Sequence, residues 1–437
     1  MIDDVLSRKW KVLPINDVVK WGSGGTPKAG IKEYYENGTI PWLIIGDLND
    51  GIVKKAQTCI TPKGLENSSA KIIPKGTLLV AMYGSIGKLG ITGMECCTNQ
   101  AIAFVKESKG VCTKFLFYYM MHVKPHLIKM GKGGTQRNIS QTVLKSLNIP
   151  VPHIQEQERI VSRIEELFSE LENGIENLKK AKAQLGIYKQ AVLKEAFEGK
   201  LTHNHYDVTK YMCKINAYRN DNGYKIKYSM MEHFELPQIP DSWKWCCIGD
   251  IATKSEYGTS KKSSKMGKVP VIRMGNIQNG KILWNDLVFS NDDDEIKQYM
   301  VKKGDVLFNR TNSPELVGKT AIFSDDREAL FAGYLIRINQ VPMINAKYLN
   351  YFLNSPIARQ YGNLVKTDGV NQSNINSKKM YSYPFPLCTE KEQLEIVEEI
   401  ETRLSVCENI EKTVDTALEQ AEIMRQSILK QAFEGRL

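Results

Sequence analysis

The side chains that could carry chemistry in this chain are mostly amides, hydroxyls and cations, and they cluster in glycine-containing loops. Residues 131–138 read GKGGTQRN and residues 366–374 read KTDGVNQSN. Gln and Asn can each make two hydrogen bonds to adenine in the major groove of DNA, whereas Lys and Arg suit guanine or phosphate oxygens. These loops are therefore typical of base and phosphate contacts rather than of a reaction centre.

Further loops of the same kind occur in both halves of the chain. Residues 83–88 and 309–319 follow predicted strands and mix amide, hydroxyl and basic groups, and residues 257–268 form a loop of Ser and Lys suited to phosphates. Taken singly, each could equally be an ordinary surface loop. The candidate DNA contacts are Lys28, Tyr83, Lys88, Lys132, Gln136, Arg137, Asn138, Lys261, Lys262, Arg273, Asn276, Arg310, Asn312, Lys319, Gln372 and Asn374.

Motifs of methyl-transferring and nucleotide-binding enzymes are missing or incomplete. A methyltransferase would need a tetrapeptide of the Asn/Asp-Pro-Pro-Tyr kind, and the chain has no Pro-Pro pair. Gly87-Lys88 and Gly318-Lys319 lack the upstream glycine of a phosphate-binding loop. We therefore expect no catalytic residue in this chain and no cofactor bound to it.

The acidic run Asp292–Glu295 could suggest a divalent metal. Ser290 and Asn291 before it, with Ile296 and Tyr299 after it, instead predict a capped helix start whose acids face the helix dipole. We expect no metal site here or elsewhere.

The overall composition favours a polyanionic partner. The 437 residues include 59 Lys and Arg against 49 Asp and Glu, a net charge of +10, which favours nucleic acid through phosphate contacts and counterion release. Nine cysteines without a Cys-x-x-Cys spacing predict free thiols. No run of about 18 apolar residues occurs, so no membrane contact is expected and the predicted location is cytoplasmic.

An internal repeat at an offset of 236 residues organises the chain. Residues 188–201 read YKQAVLKEAFEGKL and residues 424–437 read MRQSILKQAFEGRL. Weaker matches keep the same order in both halves, beginning with Trp10-Lys11 and Trp243-Lys244. Each half is therefore predicted to be a globular domain followed by a long helix.

The globular parts have short apolar runs separated by Gly, Pro, Asn and Lys, with helical patterns between them. This predicts an α+β protein with two similar mixed α/β domains related by a pseudo-two-fold repeat. The predicted parts are a first domain at 1–153, a long helix at 154–201, a linker into the second domain at 202–240, a second domain at 241–387 and a second long helix at 388–437.

The two long helices carry apolar residues at heptad spacing and in one register. Two narrow apolar stripes in one chain favour an intramolecular antiparallel coiled coil that sets the distance between the domains, although pairing between chains also fits the periodicity. The predicted helix-packing residues are Ile164, Leu167, Leu171, Leu178, Leu185, Ile400, Cys407, Val414, Met424 and Ile428.

With these motifs in place, the chain resembles a specificity subunit of a type I restriction-modification system. The resemblance rests on Leu236-Pro-x-x-Pro-x-x-Trp243, Lys303-Gly-Asp305, the Gln-x-x-Ile segments at 136 and 372, Pro-x-Pro before Glu-Gln-x-x-Ile-Val, and the Ala-Phe-Glu-Gly ending of both helices. The first domain departs from the pattern because it lacks the Leu-Pro-x-x-Pro lead.

The resemblance implies two target recognition domains that read a split double-stranded DNA sequence and direct adenine methylation and restriction to it. It implies two modification subunits that carry S-adenosylmethionine, and restriction subunits that carry ATP and Mg. Three alternatives stay open: a catalytic nuclease or methyltransferase, a scaffold built on a homodimeric coiled coil, and an orphan or exchangeable specificity cassette of the same family.

Overall fold

A computed structural model of the chain describes residues 10–132, 137–203, 206–228 and 234–437. The chain divides into two compact units, one formed by Met1–Lys179 with Val414–Leu437 and the other by Lys180–Thr413. Each long helix contributes one part to each unit. Among the described helices, none combines the length and apolarity needed to cross a membrane.

The first unit is a mixed α/β domain joined to parts of both long helices. Its strands are β1 (Lys11–Pro14), β2 (Val19–Ser23), β3 (Ile40–Leu43), β4 (Gly51–Val53), β5 (Thr58–Ile60), β6 (Leu78–Ala81), β7 (Leu89–Thr92), β8 (Cys97–Thr98), β9 (Ile102–Ser108) and β10 (Asn148–Val151). Its helices are α1 (Ile15–Val18), α2 (Pro62–Glu66), α3 (Thr113–Met130), α4 (Gln141–Lys145) and the first part of α5 (Ile154–Phe197).

The main sheet of this unit has the order β2-β9-β6-β7-β4, with β4 parallel to β7 and the other neighbours antiparallel. Strand β6 is buried on both faces, because Leu78 and Val80 join the core beneath α3 whereas Leu79 and Ala81 join a second core. A smaller sheet has the order β5-β3-β8, and β1 pairs with β10. The alternation along β6 is the period of two that a strand requires.

The second unit contains the following elements. Its strands are β11 (Lys244–Cys247), β12 (Ala252–Tyr257), β13 (Val269–Ile272), β14 (Ile277–Gln278), β15 (Lys281–Ile282), β16 (Val288–Ser290), β17 (Val306–Asn309), β18 (Thr311–Asn312), β19 (Thr320–Ile322), β20 (Leu330–Phe331), β21 (Leu335–Gln340), β22 (Thr367–Asp368), β23 (Ser373–Asn374) and β24 (Pro384–Leu387). Its helices are α6 (Thr209–Asp221), α7 (Ile248–Ile251), α8 (Asp293–Tyr299), α9 (Ala346–Leu353), α10 (Pro356–Val365), α11 (Ser377–Tyr381) and α12 (Glu390–Phe433), the last shared with the first unit.

The sheets of the second unit repeat those of the first. The order β12-β21-β17-β19 matches β2-β9-β6-β7, the order β16-β13-β20 matches β5-β3-β8, and β11 pairs with β24 as β1 pairs with β10. In both small sheets the central strand has one antiparallel and one parallel neighbour. The duplication predicted from the sequence is therefore confirmed at the level of strand order.

The long helices pair in antiparallel orientation. In the first unit, Ile164 of α5 shares a core with Phe433 near the end of α12. In the second unit, Phe197 at the end of α5 shares a core with Ile400 near the start of α12. The start of one helix thus meets the end of the other within each unit, as predicted.

The predicted helix-packing positions are mostly shielded from solvent. The buried positions are Ile164, Ile400, Cys407, Val414 and Ile428, and the half-buried positions are Leu167, Leu171, Leu178 and Leu185. The prediction that Met424 packs between the helices is wrong, because 54% of this residue is exposed.

Arg425 takes the inward place instead of Met424, with its guanidinium 5.2 Å above the ring of Phe168 and 3.2 Å from Glu172. Residues three and four positions apart lie on the same face of a helix. From the buried Ala421, the apolar stripe therefore continues to Arg425, four residues on, rather than to Met424, three residues on.

The region predicted as a linker contains helix α6. Val208 and Ile215 are buried in the core of the second unit, and the Tyr211 hydroxyl donates to the carbonyl of Met343. The Arg219 guanidinium donates to the Asp250 carbonyl over 2.8 Å. This stretch shows little apolar periodicity, so its order comes from packing on the domain.

Both long helices end at a left-handed glycine that faces a tryptophan. Gly199 has φ +73° and lies against Pro240 and Trp243, and Gly435 has φ +68° and lies against Trp10. The end of α5 therefore docks on the opening tryptophan of the second domain, and the end of α12 docks on that of the first. This accounts physically for the glycine of the repeated Ala-Phe-Glu-Gly motif.

Both long helices also begin with a buried glutamine that fastens them to their domain. Gln157 accepts from the Cys112 amide over 2.9 Å and donates to the carbonyls of Gly110 and Pro152. Gln393 accepts from the Asn345 amide over 2.8 Å and donates to the Cys388 carbonyl. The Glu-Gln-x-x-Ile-Val motif is therefore structural.

Candidate nucleic-acid interface

Three short strands of the second unit bring the predicted loop residues together. The order is β18-β23-β22, so Thr311 and Thr367 both lie opposite Asn374. The Asn374 side chain donates to the Thr311 hydroxyl over 2.7 Å. Asn312 pairs with Ser373, next to the exposed Gln372. Segments about sixty residues apart in the chain thus form one polar sheet, which we call the amide sheet (residues 311–312, 367–368 and 373–374).

Arg310 stands at the edge of the amide sheet and is held by an aromatic ring. Its guanidinium carbon lies 4.8 Å from the centroid of the Tyr257 ring, and one of its terminal nitrogens donates to the Gly333 carbonyl over 3.4 Å. The Tyr257 hydroxyl in turn donates to the Ser377 hydroxyl. Stacking orients the planar fork of donors, which suits bidentate contacts to guanine or phosphate.

The first unit repeats this arrangement in smaller form. The backbone of Asn138 forms one isolated antiparallel β-bridge with Tyr83 and another with Lys132. The Gly84 amide donates to the Arg137 carbonyl over 3.1 Å. Lys132, Arg137 and Asn138 are exposed, and 44% of Tyr83 is exposed. The candidate Gln136 lies outside the described residues.

An equivalent connection between antiparallel strands contributes to each of these sites. Gly318 donates to the Asn309 carbonyl over 2.8 Å, and Gly87 donates to the Ala81 carbonyl over 2.9 Å. Both glycines have positive φ, 89° and 72°, which a residue with a Cβ adopts at a cost. The glycine in each Gly-Lys pair is therefore required by a turn and not by a nucleotide phosphate.

The lysines after these glycines are half-buried, unlike Lys132. Lys88 approaches the carbonyls of Ile45 and Gly46 at 3.4 and 3.5 Å. Lys319 lines a cavity of about 430 Å³ in the second unit, and burial lowers the pKa of its ammonium group. Their contact with DNA stays a prediction.

The loop at 257–268 is tied to the acidic helix start. Lys261 forms an ion pair with Asp292 at 2.5 Å, and Lys268 pairs with Asp293 at 2.8 Å. The Asp292 side chain also accepts from the amides of Asp294 and Glu295. The predicted capped start of this helix is therefore confirmed, and the structure shows that Asp292 itself is the N-cap. Lys262 is exposed.

The structure corrects the prediction that Asn276 contacts DNA. It is 3% exposed, and its amide donates to the carbonyls of Leu283 and Asn285 while its oxygen accepts from the Arg273 amide. A buried side chain whose amide group is already bonded inside its own loop is not available to read a base. Arg273 in turn donates to the carbonyl and carboxylate of Asp286.

Lys28 lies in an exposed loop of the first unit. Within the ranges that the structure describes, no group of three or more His, Cys, Asp or Glu side chains is arranged to hold a metal.

Two side chains of the second unit were missed from the sequence. Tyr334 is 50% exposed, and its carbonyl accepts from the Arg310 amide over 3.0 Å. Val370, at the turn between β22 and β23, is fully exposed. Placement beside a candidate arginine was the only signal for Tyr334, and that placement is tertiary.

The fold and these sites define a class of protein: an internally duplicated α+β chain in which each domain combines a polar, exposed site with a core completed by two antiparallel helices. The family described as type I restriction modification DNA specificity domain matches residues 7–180 and 240–420. The chain belongs to this family.

Several relatives and solved structures match almost the whole chain. The type I restriction enzyme EcoKI specificity subunit of Escherichia coli K12 is 25% identical and covers 99% of this chain and 90% of its own length. The StySPI specificity subunit of Salmonella potsdam is 23% identical over the same shares. The crystal structure of the HsdS subunit from Thermoanaerobacter tengcongensis is similar at a TM-score of 0.53, with 15% identity and 98% of each chain covered.

A second solved chain is similar at a TM-score of 0.70. It comes from work on the structural basis underlying complex assembly and conformational transition of the type I R-M system. It is 15% identical and covers 98% of this chain and 99% of its own length. At this identity the likeness concerns the fold.

Proposed function

We propose that this chain is the DNA-reading subunit of a type I restriction-modification complex, in which each domain reads one half of a bipartite target. The observation that carries the proposal is the repeated site: the strand neighbours Tyr83, Asn138 and Lys132 of the first unit correspond to Thr311, Asn374 and Thr367 of the second. Each set presents amide and hydroxyl groups beside an arginine. Such groups read base edges and phosphates.

The experiment replaces Arg310 in the full chain and assembles it with its companion subunits. Arg310→Ala is expected to weaken binding about tenfold and to relax the half-site read by the second domain, because one bidentate contact discriminates by about 1–3 kcal/mol. Arg327→Ala is the matched control, since Arg327 also stacks on an aromatic ring at 4.8 Å, that of Trp284, outside the amide sheet.

The readout is the methylated sequence in cells together with binding to duplexes altered at one half-site. Arg137→Ala should relax the other half-site only. If Arg310→Ala and Arg327→Ala behaved alike, the amide sheet would not face DNA.

The proposed protein partners are two modification subunits, together with restriction subunits. The proposal is supported by a repeated apolar pair on the long helices: Ile187 and Tyr188 are 71% and 46% exposed, and Ile423 and Met424, at the same repeat positions, are 70% and 54% exposed. Two equal surfaces suit two copies of one partner. Ile187→Asp with Ile423→Asp should remove both copies, measured as the mass of the assembled complex, and each single variant should remove one.

We propose further that the chain itself is not catalytic and that S-adenosylmethionine, ATP and Mg bind to the partner subunits. The missing motifs support this. Incubation of the isolated chain with adenosylmethionine and DNA is expected to transfer no methyl group, and the same mixture with modification subunits should methylate adenine. Methylation by the isolated chain would overturn the proposal.

A further inference from the structure

The turn between β22 and β23 is a short hairpin with an ordered tip. Thr367 and Asp368 pair with Asn374 and Ser373, and the Gly369 amide donates to the Gln372 carbonyl over 2.8 Å. The Ser373 hydroxyl donates to the Asp368 carboxylate. The tip, residues 369–372, is therefore held from its base by backbone and side-chain hydrogen bonds.

Val370 stands on this tip with its whole side chain in solvent. Among the large hydrophobic side chains that the structure describes as exposed, Val370 at 100% exceeds Met266 at 82%. A single exposed apolar residue is common and by itself carries no function. Val370 differs by its surroundings, because the amides of Asn371 and Gln372 follow it and both are exposed.

The base of the hairpin joins the part of the second unit already argued to face DNA. Strand β23 lies between β22 and β18, and β18 directly follows the Arg310 that stacks on Tyr257. The hairpin tip, residues 369–372, lies outside these three paired strands. A two-stranded turn of this width fits the major groove, which is about 12 Å wide. If the hairpin entered the major groove tip first, Val370 would meet the base edges ahead of the rest of the amide sheet.

The major-groove edges of the bases carry one apolar group, the 5-methyl of thymine. An A·T pair presents that methyl beside the adenine edge that Asn and Gln recognise. A stiff β-branched side chain next to two amides matches this combination. We infer that the hairpin tip reads an A·T pair in the second half-site, with Val370 packed against the thymine methyl and an amide of Asn371 or Gln372 on an adenine. The inference rests on the proposed DNA-reading function.

The test uses the chain assembled with its modification subunits and a duplex whose target sequence is first determined by methylome sequencing. Each thymine of the half-site read by the second domain is replaced singly by deoxyuridine, which lacks only the methyl group. The wild-type complex should lose about fourfold in affinity at one position, the effect of one buried methyl group. Val370→Ala should bind the thymine duplex more weakly and no longer distinguish thymine from uracil there.

Two controls complete the experiment. Val370→Ile should keep the distinction, and Leu364→Ala, which alters a side chain 56% exposed on neighbouring helix α10, should leave binding unchanged. Equal binding of the wild-type complex to all uracil duplexes, or an unchanged thymine preference in Val370→Ala, would overturn the inference. If Arg310→Ala lost the half-site while Val370→Ala kept its thymine preference, the hairpin inference alone would fail; if Arg310→Ala had no effect either, the proposed function would fail with it.

Discussion

Asn309 places an amide inside the sheet of the second unit, where the first unit has Ala81 at the same hairpin position. The side chain is fully buried, and neither its oxygen nor its nitrogen has a partner among the described residues. A buried polar group without hydrogen bonds costs about 1–3 kcal/mol.

Asn309→Leu is therefore expected to raise the free energy of unfolding by about 1 kcal/mol, measured by urea denaturation of the full chain. Asn350→Leu is the matched control. Asn350 is equally buried but accepts from the Thr320 hydroxyl and donates to the Gly280 carbonyl, so this variant should lose about 2 kcal/mol. Destabilisation by both changes to the same extent would contradict the prediction.

Glu256 and Arg337 form a part-buried ion pair at 2.7 Å in the sheet of the second unit. Burial alone would raise the pKa of Glu256, but hydrogen bonds from Lys254, Asn339 and Arg337, with the charge of Arg337, outweigh it and lower the pKa to about 2. A lowered carboxyl pKa stabilises the folded state above the unfolded pKa near 4.5, and the stabilisation is lost as the pH falls toward 2.

Glu256→Gln should therefore flatten part of the fall in melting temperature between pH 5 and pH 3. The control is Glu36→Gln, which should have little effect because the ion pair of Glu36 with Lys32 is exposed.

Arg337→Met should lower the free energy of unfolding by about 3 kcal/mol at pH 7, because it leaves the carboxylates of Glu256 and Asp305 without their shared cation.

The ends of the long helices make different demands on their two glycines. At Gly199 an added Cβ would lie 2.4 Å from Pro240, whereas at Gly435 the nearest atom, in Trp10, would be 3.5 Å away. Gly435→Ala should cost about 1 kcal/mol from positive φ alone, and Gly199→Ala should cost at least about 2 kcal/mol because a clash is added. Thermal unfolding of the two variants measures the difference. Equal losses would show that the Pro240 contact gives way freely.

The length of the helices is testable separately from their sequence. Deleting residues 178–184 together with residues 414–420 removes one heptad from each helix in register, about 10 Å at 1.5 Å per residue. If the helices set the spacing of the half-sites, the unspecified spacer shortens by about three base pairs while both half-sites are kept. Methylome mapping decides, and an unchanged spacer with altered half-sites would show that the helices do not set the distance.

At the scale of the whole molecule, the duplication predicts two separable readers. Replacing residues 10–152 by the corresponding domain of another such subunit should change one half of the methylated sequence and leave the other intact. The graft must keep contacts with the far end of the chain, since Phe115 and Tyr119 pack edge-on against Phe433 at 5.2 and 5.4 Å. Methylome sequencing gives the result, and a change in both halves would refute independent reading.

Much of this organisation could be predicted from the sequence because it depends on local or repeated patterns. The first long helix was predicted at 154–201 and extends over Ile154–Phe197, since apolar periodicity without proline specifies a helix locally. The capped start of α8 could likewise be predicted, because the Asp292 side chain that caps it accepts from amides only two and three residues away. The duplication was visible because both copies must build the same core.

Only the tertiary structure decided which parts complete which unit. The Ala-Phe-Glu-Gly motif of α12 lies more than 400 residues from the Trp10 that it faces, and no local pattern states that pairing. Asn276 was predicted to contact DNA, but its side-chain amide is bonded to carbonyls of its own loop. Met424 was predicted to face inward, but Arg425 faces inward instead because it contacts both the ring of Phe168 and the carboxylate of Glu172. Periodicity determines that a helix has a buried face, but the groups that pack against it determine which residues occupy that face.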